Sequence, residues 1–127
     1  MNSTDIEHFA HAQVAAWNAG DKAAFFAAYA AAAPQGLTIE YVGRGPVQDG
    51  WPVLEGMWAQ QSARIEIEEV ALIVNGNEAA CHNRNKLRGT AVAIETIELY
   101  RLDEGRLAVR YFIRAPAAQA GTPPSQG

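Results

Sequence analysis

The predominant hydrophobic periodicity of the chain changes near Arg64, and this change restricts its possible folds more than any other feature. Before that point apolar residues recur mainly at helical spacing, with one short alternating stretch. After it they alternate with polar residues along four successive segments. The turn-forming stretches 75–77 and 103–105, and Gly89, separate these segments. Consecutive strands joined by short turns pair antiparallel, so the second half of the chain predicts an antiparallel meander.

Helix start and stop signals divide the first half into three predicted helices. The first covers residues 3–19 and ends at Gly20. Asp21 caps the second helix and Pro34 stops it, while Pro52 suits the first turn of a short third helix. Helices grouped before such a sheet predict an α+β fold, in which a strongly curved sheet with helices across its concave face encloses a pocket.

A short strand, residues 37–42, lies between the second and third predicted helices. Its apolar residues Leu37 and Ile39 alternate with polar ones, and the same face ends in Tyr41. We expect Tyr41 to point inward, where a phenol either donates to a developing oxyanion or bonds to a backbone carbonyl of the core.

Composition limits the class of protein. The length of 127 residues suits one domain, predicted over residues 1–115, and the Pro/Gly-rich stretch 116–127 predicts a disordered tail. The net charge of −4 argues against nucleic acid or an anionic membrane as partner. Cys81 is the single cysteine and cannot form an internal disulfide. With no signal peptide pattern and no membrane-length apolar run, a cytoplasmic protein is expected.

Two amides in the predicted strand over residues 78–89 indicate a polar pocket. Asn83 and Asn85 share one face with Cys81, and a basic row from His82 to Arg88 occupies the other. Buried amides need hydrogen-bond partners, so an inert core would not favour them. The alternative is an edge strand with both faces in water.

The segments VAAWNAGD (14–21) and NEAA (77–80), placed within this order of elements, resemble the nuclear transport factor 2-like superfamily. The nearest resemblance is to ketosteroid isomerases and polyketide cyclase-like proteins, and it covers residues 5–114. It implies a cone-shaped, cystatin-like fold with three N-terminal helices packed on a strongly curved, mainly antiparallel sheet. It also implies an apolar pocket, no cofactor, and a homodimer formed through the outer face of the sheet.

The resemblance also implies where catalytic groups would stand. The first-helix tyrosine of the isomerases is replaced here by Gln13, and the first-strand carboxylate position falls at Tyr41. The fourth-strand acid position falls at Glu98, which keeps the chemical class. Steroid isomerisation by the standard route therefore lacks its base.

Glu98 is the candidate proton-transfer group, with Tyr41 as the second catalytic candidate. Glu98 shares a strand face with Thr96 and Tyr100, and burial in the pocket would raise its pKa towards the useful range. The alternative is a surface glutamate. The predicted substrate contacts are Gln13, Trp17, Met57, Trp58, Asn83, Asn85, Arg110 and Phe112.

The orientation of Arg110 stays open at this point. The resemblance places Arg110 and Phe112 inward, whereas the apolar alternation favours Leu107, Val109 and Tyr111 as the buried set. An inward Arg110 would pair with Glu98 or an anionic substrate. An outward Arg110 would be a solvated surface residue.

The sequence therefore predicts a cofactor-independent acid–base enzyme, of isomerase, lyase or dehydratase type, acting on a small, apolar, oxygenated substrate. The alternative is a non-catalytic dimeric ligand-binding or assembly module. His8 and His11 lie three residues apart but lack an evident third ligand, so no metal site is predicted. No phosphate loop or nucleic-acid motif is present.

Overall fold

A computed structural model describes residues 3–114 and confirms the α+β architecture. The elements in chain order are α1 (Ser3–Ala19), α2 (Lys22–Ala32), β1 (Gly36–Tyr41), β2 (Gln48–Asp49), α3 (Gly50–Gln61), β3 (Ile65–Asn75), β4 (Glu78–Leu87), β5 (Ala93–Asp103) and β6 (Arg106–Ile113). The predicted tail, residues 116–127, lies outside the described residues. No helix in the described part combines the length and apolarity that crossing a membrane requires.

One curved sheet contains all six of these strands in the order β2-β1-β6-β5-β4-β3. Strands β3 to β6 form the predicted meander, and β1 joins it by pairing parallel with β6. The two-residue strand β2 was not predicted, because two residues carry no periodicity. It pairs with Thr38 and Ile39 of β1.

The helices cover the concave face of the sheet, and the core lies between these two layers. From α1, the buried side chains include Ile6, Phe9 and Trp17, which recur at helical spacing. Trp17 packs against Phe25 of α2 and Trp58 of α3, with ring centroids 5.4 Å apart in both pairs. These aromatic contacts hold the three helices together above the sheet.

The C-terminal end of α1 is tied to the backbone of the edge strand β3. The indole of Trp17 donates to the carbonyl oxygen of Ile65 at 2.9 Å. The Asn18 amide donates to the carbonyl oxygen of Ile67 and accepts from its N–H, both at 2.8 Å. Strand β3 contains a β-bulge, where the register shifts between Glu69 and Ala71.

Helix α3 begins in close contact with β1. Gly50, its first residue, is buried, and a Cβ built there would lie only 2.4 Å from Cγ of Leu37. Asp49 caps the helix by accepting from the N–H of Trp51. Only glycine allows this approach, which fixes α3 over one end of the cavity described below.

Candidate functional site

A cavity of about 310 Å³ lies between the helices and the concave face of the sheet. This volume is at the lower end of the range of small-molecule pockets, about 300–1,000 Å³. Most of its wall is aliphatic or aromatic, and a few polar groups converge at its buried end. The lining residues are Gln13, Trp17, Phe25, Tyr29, Arg44, Met57, Gln61, Ile65, Ile67, Asn85, Ile94, Thr96, Glu98, Tyr111 and Ile113.

Glu98 is the acidic group at the buried end of the cavity. Alternation along β5 places it on the concave face together with Thr96 and Tyr100, as predicted, and only 5% of it is exposed. Tyr100 donates its hydroxyl proton to Oε1 at 2.5 Å. Oε2 accepts from the Thr96 hydroxyl at 3.0 Å and from the Asn83 amide at 3.2 Å. The carboxyl group is therefore held in one orientation by three donors.

The surroundings of Glu98 favour its neutral form. Burial raises its pKa, the hydrogen bonds from Tyr100, Thr96 and Asn83 oppose the rise, and the charge of Glu69 adds to it. The net direction is upward. Between residues 3 and 114 no Lys, Arg or His forms an ion pair with Glu98. Loss of solvent therefore sets the direction of the Glu98 pKa shift, and the group does not belong to a structural ion pair within the described part of the chain.

Two series of hydrogen bonds, each starting from a side chain of β4, orient the groups that donate to Oε2 of Glu98. Cys81 donates its S–H to Oδ1 of Asn83 at 3.1 Å, which directs the Asn83 amide nitrogen towards Glu98. Asn85 donates to the Thr96 hydroxyl at 3.1 Å, so the Thr96 proton is directed to Glu98. Asn83 is fully buried, and β4 lies between β3 and β5. The prediction of two inward amides is confirmed, and the edge-strand alternative is wrong.

Gln13 and Tyr100 form the chain to Oε1. Gln13 is 3% exposed, lines the cavity, and donates weakly to the Tyr100 hydroxyl at 3.4 Å. Burial raises the pKa of Tyr100 well above its ordinary value, and the Glu98 charge adds to this rise, so the phenol stays protonated. Hydrogen bonds therefore link Oε1 of Glu98, through Tyr100, to Gln13 in the cavity wall.

A cluster of three tyrosines stands beside Glu98. Tyr111 lies directly opposite it on β6, and Tyr29 of α2 hydrogen-bonds to the Tyr111 hydroxyl. Burial raises the pKa of both phenols. Tyr41 is half-buried, pairs with Tyr111 across β1 and β6, and stacks on its ring at 5.3 Å. It does not belong to the cavity lining found for residues 3–114.

The structure brings together most of the predicted site residues. Gln13, Trp17, Met57, Asn85 and Glu98 line the cavity. Two others stand behind the wall: Asn83 supports Glu98, and Trp58 packs on Trp17 and Phe25.

The inward placement of Arg110 and Phe112 is wrong. Arg110 lies on the outer face of the sheet, where it pairs with Glu40 at 3.0 Å and covers the ring of Phe112. The apolar alternation of β6 was the correct guide, because Val109 and Tyr111 are buried on the concave face. A side chain on β6 can face only one side of the sheet, and burial of the apolar set decides which.

Sequence reasoning missed several residues of the site. Tyr29 was not among the predicted site residues, and Tyr111 was predicted only as part of the buried set of β6, but both line the cavity. Their signal was present in the apolar spacing, although spacing does not distinguish cavity wall from filled core. Arg44 and Gln61 at the more exposed end gave no signal, because each stands close to a turn.

The described residues contain no group of three or more His, Cys, Asp or Glu side chains placed to hold a metal ion. His11 instead hydrogen-bonds to Glu69 at 2.7 Å. The polar groups of the cavity are one carboxyl, the guanidinium of Arg44 at the exposed end, amides and hydroxyls, which suit the binding and protonation of an oxygen-bearing organic molecule.

Comparison with solved structures identifies the fold. A candidate ketosteroid isomerase from Kribbella flavida superposes with a TM-score of 0.71 at 15% identity, over 96% of this chain and 84% of that one. An NTF2-like protein of unknown function from Mesorhizobium loti gives 0.69 at 14% identity, over 89% and 93%. The chain has the nuclear transport factor 2-like fold. The predicted fold class is thereby confirmed.

Other members of the NTF2-like fold include an LEH-like epoxide hydrolase from M. tuberculosis. It superposes with a TM-score of 0.63 at 17% identity, over 88% of this chain and 84% of that one. Neither a family model nor a curated protein matches the sequence. At such identities the likeness concerns the NTF2-like fold alone, and the chemistry has to be argued from the cavity.

Proposed function

We propose that the protein is a cofactor-independent enzyme that transfers protons on a small, apolar, oxygenated substrate, with Glu98 as the proton-transfer group. The observation that carries this proposal is a buried carboxyl group without an ion-pair partner in residues 3–114, on the wall of an otherwise mostly apolar cavity. Acid–base catalysis requires a group whose pKa lies nearer neutrality than that of a solvated carboxyl. The upward direction of the Glu98 pKa meets that requirement.

The hydrogen bonds distinguish the two oxygens of Glu98. Oε2 accepts hydrogen bonds from Asn83 and Thr96. Cys81 orients Asn83 for this bond, and Asn85 orients Thr96. Oε1 accepts only from the Tyr100 hydroxyl, which is able to accept as well as donate. Oε1 is therefore the oxygen that gains and loses the proton. The ionised form removes a proton from a substrate carbon, and the protonated form returns it to another atom.

The tyrosine cluster supplies the complementary hydroxyl. Tyr29 and Tyr111 share one hydrogen bond, so one of their two hydroxyl protons is left to donate to a substrate oxygen. Such a donor stabilises the oxyanion that forms when a proton leaves the adjacent carbon. This role, expected for Tyr41, is better placed on the Tyr29–Tyr111 pair, while Tyr41 supports Tyr111 by stacking. Enzyme names among the structural neighbours support an acid–base use of the scaffold.

The elimination reaction of 5-nitrobenzisoxazole tests the proposal, because it needs only a base in an apolar pocket. We expect Glu98→Gln to lower kcat/KM by about 100-fold or more. The wild-type rate should rise with pH through an apparent pKa above 4.5, the ordinary value for glutamate. Glu66→Gln, which removes an exposed carboxyl of the same sheet, is the matched control. Full activity in Glu98→Gln would refute the assignment.

A ligand-binding module is the second candidate, because the cavity is present whether or not a reaction occurs in it. It predicts saturable binding of small apolar molecules, with the same slow elimination in wild type and Glu98→Gln. An assembly module without a ligand would not require the cavity of about 310 Å³, so binding of a ligand is the more specific form of this candidate.

We also propose that two copies associate through the outer face of the sheet. Ile73, Ile97 and Phe112 are 71%, 41% and 38% exposed on that face, beside a shallow groove of about 430 Å³. Acidic and basic residues alternate around them, which suits a two-fold contact of the face with itself. Light scattering should give the mass of a dimer for wild type and of a monomer for Ile97→Lys. A monomeric wild type would overturn this proposal.

A further inference from the structure

Charge is distributed unevenly along the cavity. Among the described lining residues, Glu98 and Arg44 are the two whose side chains carry a formal charge when ionised near neutral pH, and they lie at different depths. Glu98 is buried, whereas Arg44 is exposed in the turn that follows β1. The N–H of Arg44 donates to the carbonyl oxygen of Tyr41 at 2.9 Å, which fixes the turn at the mouth.

Arg44 has no acidic partner in the described part of the chain. Some other basic side chains do form ion pairs, such as Lys22 with Glu55 at 3.0 Å and Arg110 with Glu40 at 3.0 Å. An unpaired guanidinium at a cavity mouth offers two parallel N–H donors to a planar anion. The mouth is therefore electropositive, and the buried end holds an acid that disfavours a second negative charge beside it.

Most of the remaining wall of the cavity is apolar. Ile65, Ile67, Ile94 and Ile113 line it, with Met57 on the helical side. These side chains offer no polar group to a ligand, so the part of a molecule that crosses them must be apolar. A cavity of about 310 Å³ limits that part to a compact body, such as one aromatic ring with a short chain.

We propose that the cavity is built for an amphipathic organic acid, whose carboxylate binds Arg44 at the mouth and whose apolar body extends towards Glu98. This inference deepens the proposed function, since it names the substrate class for the same site. The reacting oxygen function would lie at the buried end, and the carboxylate would remain partly in water. A carboxylate at the mouth also fixes which end of the molecule enters first.

Binding of a matched pair of probes tests this inference. The probes are 4-phenylbutyrate and 4-phenylbutyramide, which differ in charge but hardly in shape. Binding is followed by calorimetry or by intrinsic tryptophan fluorescence, to which Trp17 in the cavity wall contributes. We expect wild type to bind the carboxylate about fivefold more tightly, since an exposed ion pair contributes at most about that factor. Raising the salt concentration should reduce the preference.

Two substitutions decide whether Arg44 causes the preference. Arg44→Gln should bind both probes equally. Arg101→Gln, which removes the same charge from the exposed outer face of β5, should keep the preference. Equal affinities in wild type, a preference that survives in Arg44→Gln, or binding of neither probe would overturn the inference.

The Glu98→Gln variant separates this inference from the proposed function. If Arg44 sets the preference, Glu98→Gln keeps it even though proton transfer is lost. Elimination activity that depends on Glu98 without any carboxylate preference would overturn the substrate class alone. A carboxylate preference with elimination that is indifferent to Glu98 would overturn the acid–base function alone.

Discussion

Replacing Glu98 by Gln should change how the stability of the protein depends on pH. The folded state raises the pKa of this carboxyl above 4.5, while the unfolded chain returns it to water. Between these two pKa values the folded state holds a proton that the unfolded state releases. Stability is therefore greatest below the unfolded pKa, and it falls as pH rises towards the folded pKa.

The magnitude follows from one proton. Within that window the free energy of unfolding of wild type should fall, relative to Glu98→Gln, by at most about 1.4 kcal/mol per pH unit. Glutamine mimics the protonated acid, because its amide can face Tyr100 while its carbonyl oxygen accepts from Thr96 and Asn83. Any packing difference between the two side chains adds a constant and leaves this slope unchanged.

Urea unfolding followed by circular dichroism, from pH 4.5 upward in steps of half a unit, measures the difference. Glu66→Gln is measured in parallel as the control for losing one carboxyl from the sheet. A difference between wild type and Glu98→Gln that is independent of pH would refute the reasoning. So would a wild type that gains stability relative to the variant as pH rises, since that result requires a carboxylate stabilised by the fold.

Three further predictions concern packing and reactivity. Gly50→Ala should destabilise the protein by about 1–3 kcal/mol in urea unfolding, because the added methyl group would clash with Leu37. The control is Gly56→Ala in the same helix, whose methyl group would have no neighbour within 4 Å and which should be neutral or stabilising. Equal effects of the two substitutions would contradict the close contact at Gly50. Asn18→Ala should lower the free energy of unfolding by about 1–3 kcal/mol through two lost hydrogen bonds to the β3 backbone, and an unchanged midpoint would count against it. Burial raises the pKa of Cys81 to about 12, so iodoacetamide at pH 8 should alkylate this thiol only as fast as the chain unfolds. Rapid labelling of the native protein would contradict this prediction.

The sequence was a good guide to the fold because periodicity and turns are local. Alternation along 64–113 located the strands, and Gly20 and Asp21 marked the boundary between two helices. Alternation also predicted that Asn83 and Asn85 face inward, as they do. These predictions depend on neighbours along the chain, which one sequence displays directly. The inward placement of Glu98 was implied by the family resemblance, because alternation alone also allowed a surface glutamate.

The site was less predictable because its composition depends on register between strands and on helix placement. Tyr111 stands opposite Glu98 only because β5 and β6 pair in one particular register, and Tyr29 reaches it from a different layer. Arg110 was ambiguous until the buried side of β6 was known. Distances across a sheet and between layers are properties of the folded chain and have no signature in local pattern.

The way in which α1 meets β3 limits how this protein can aggregate. As an edge strand, β3 presents a row of backbone donors and acceptors that another chain could extend. Trp17 and Asn18 occupy those groups at Ile65 and Ile67, and the bulge after Glu69 interrupts the row. A foreign strand could pair without interruption only with the remaining segment, 71–75, which has the length of one short strand. The same two side chains that anchor a helix therefore also shorten the part of the β3 edge that is free to pair.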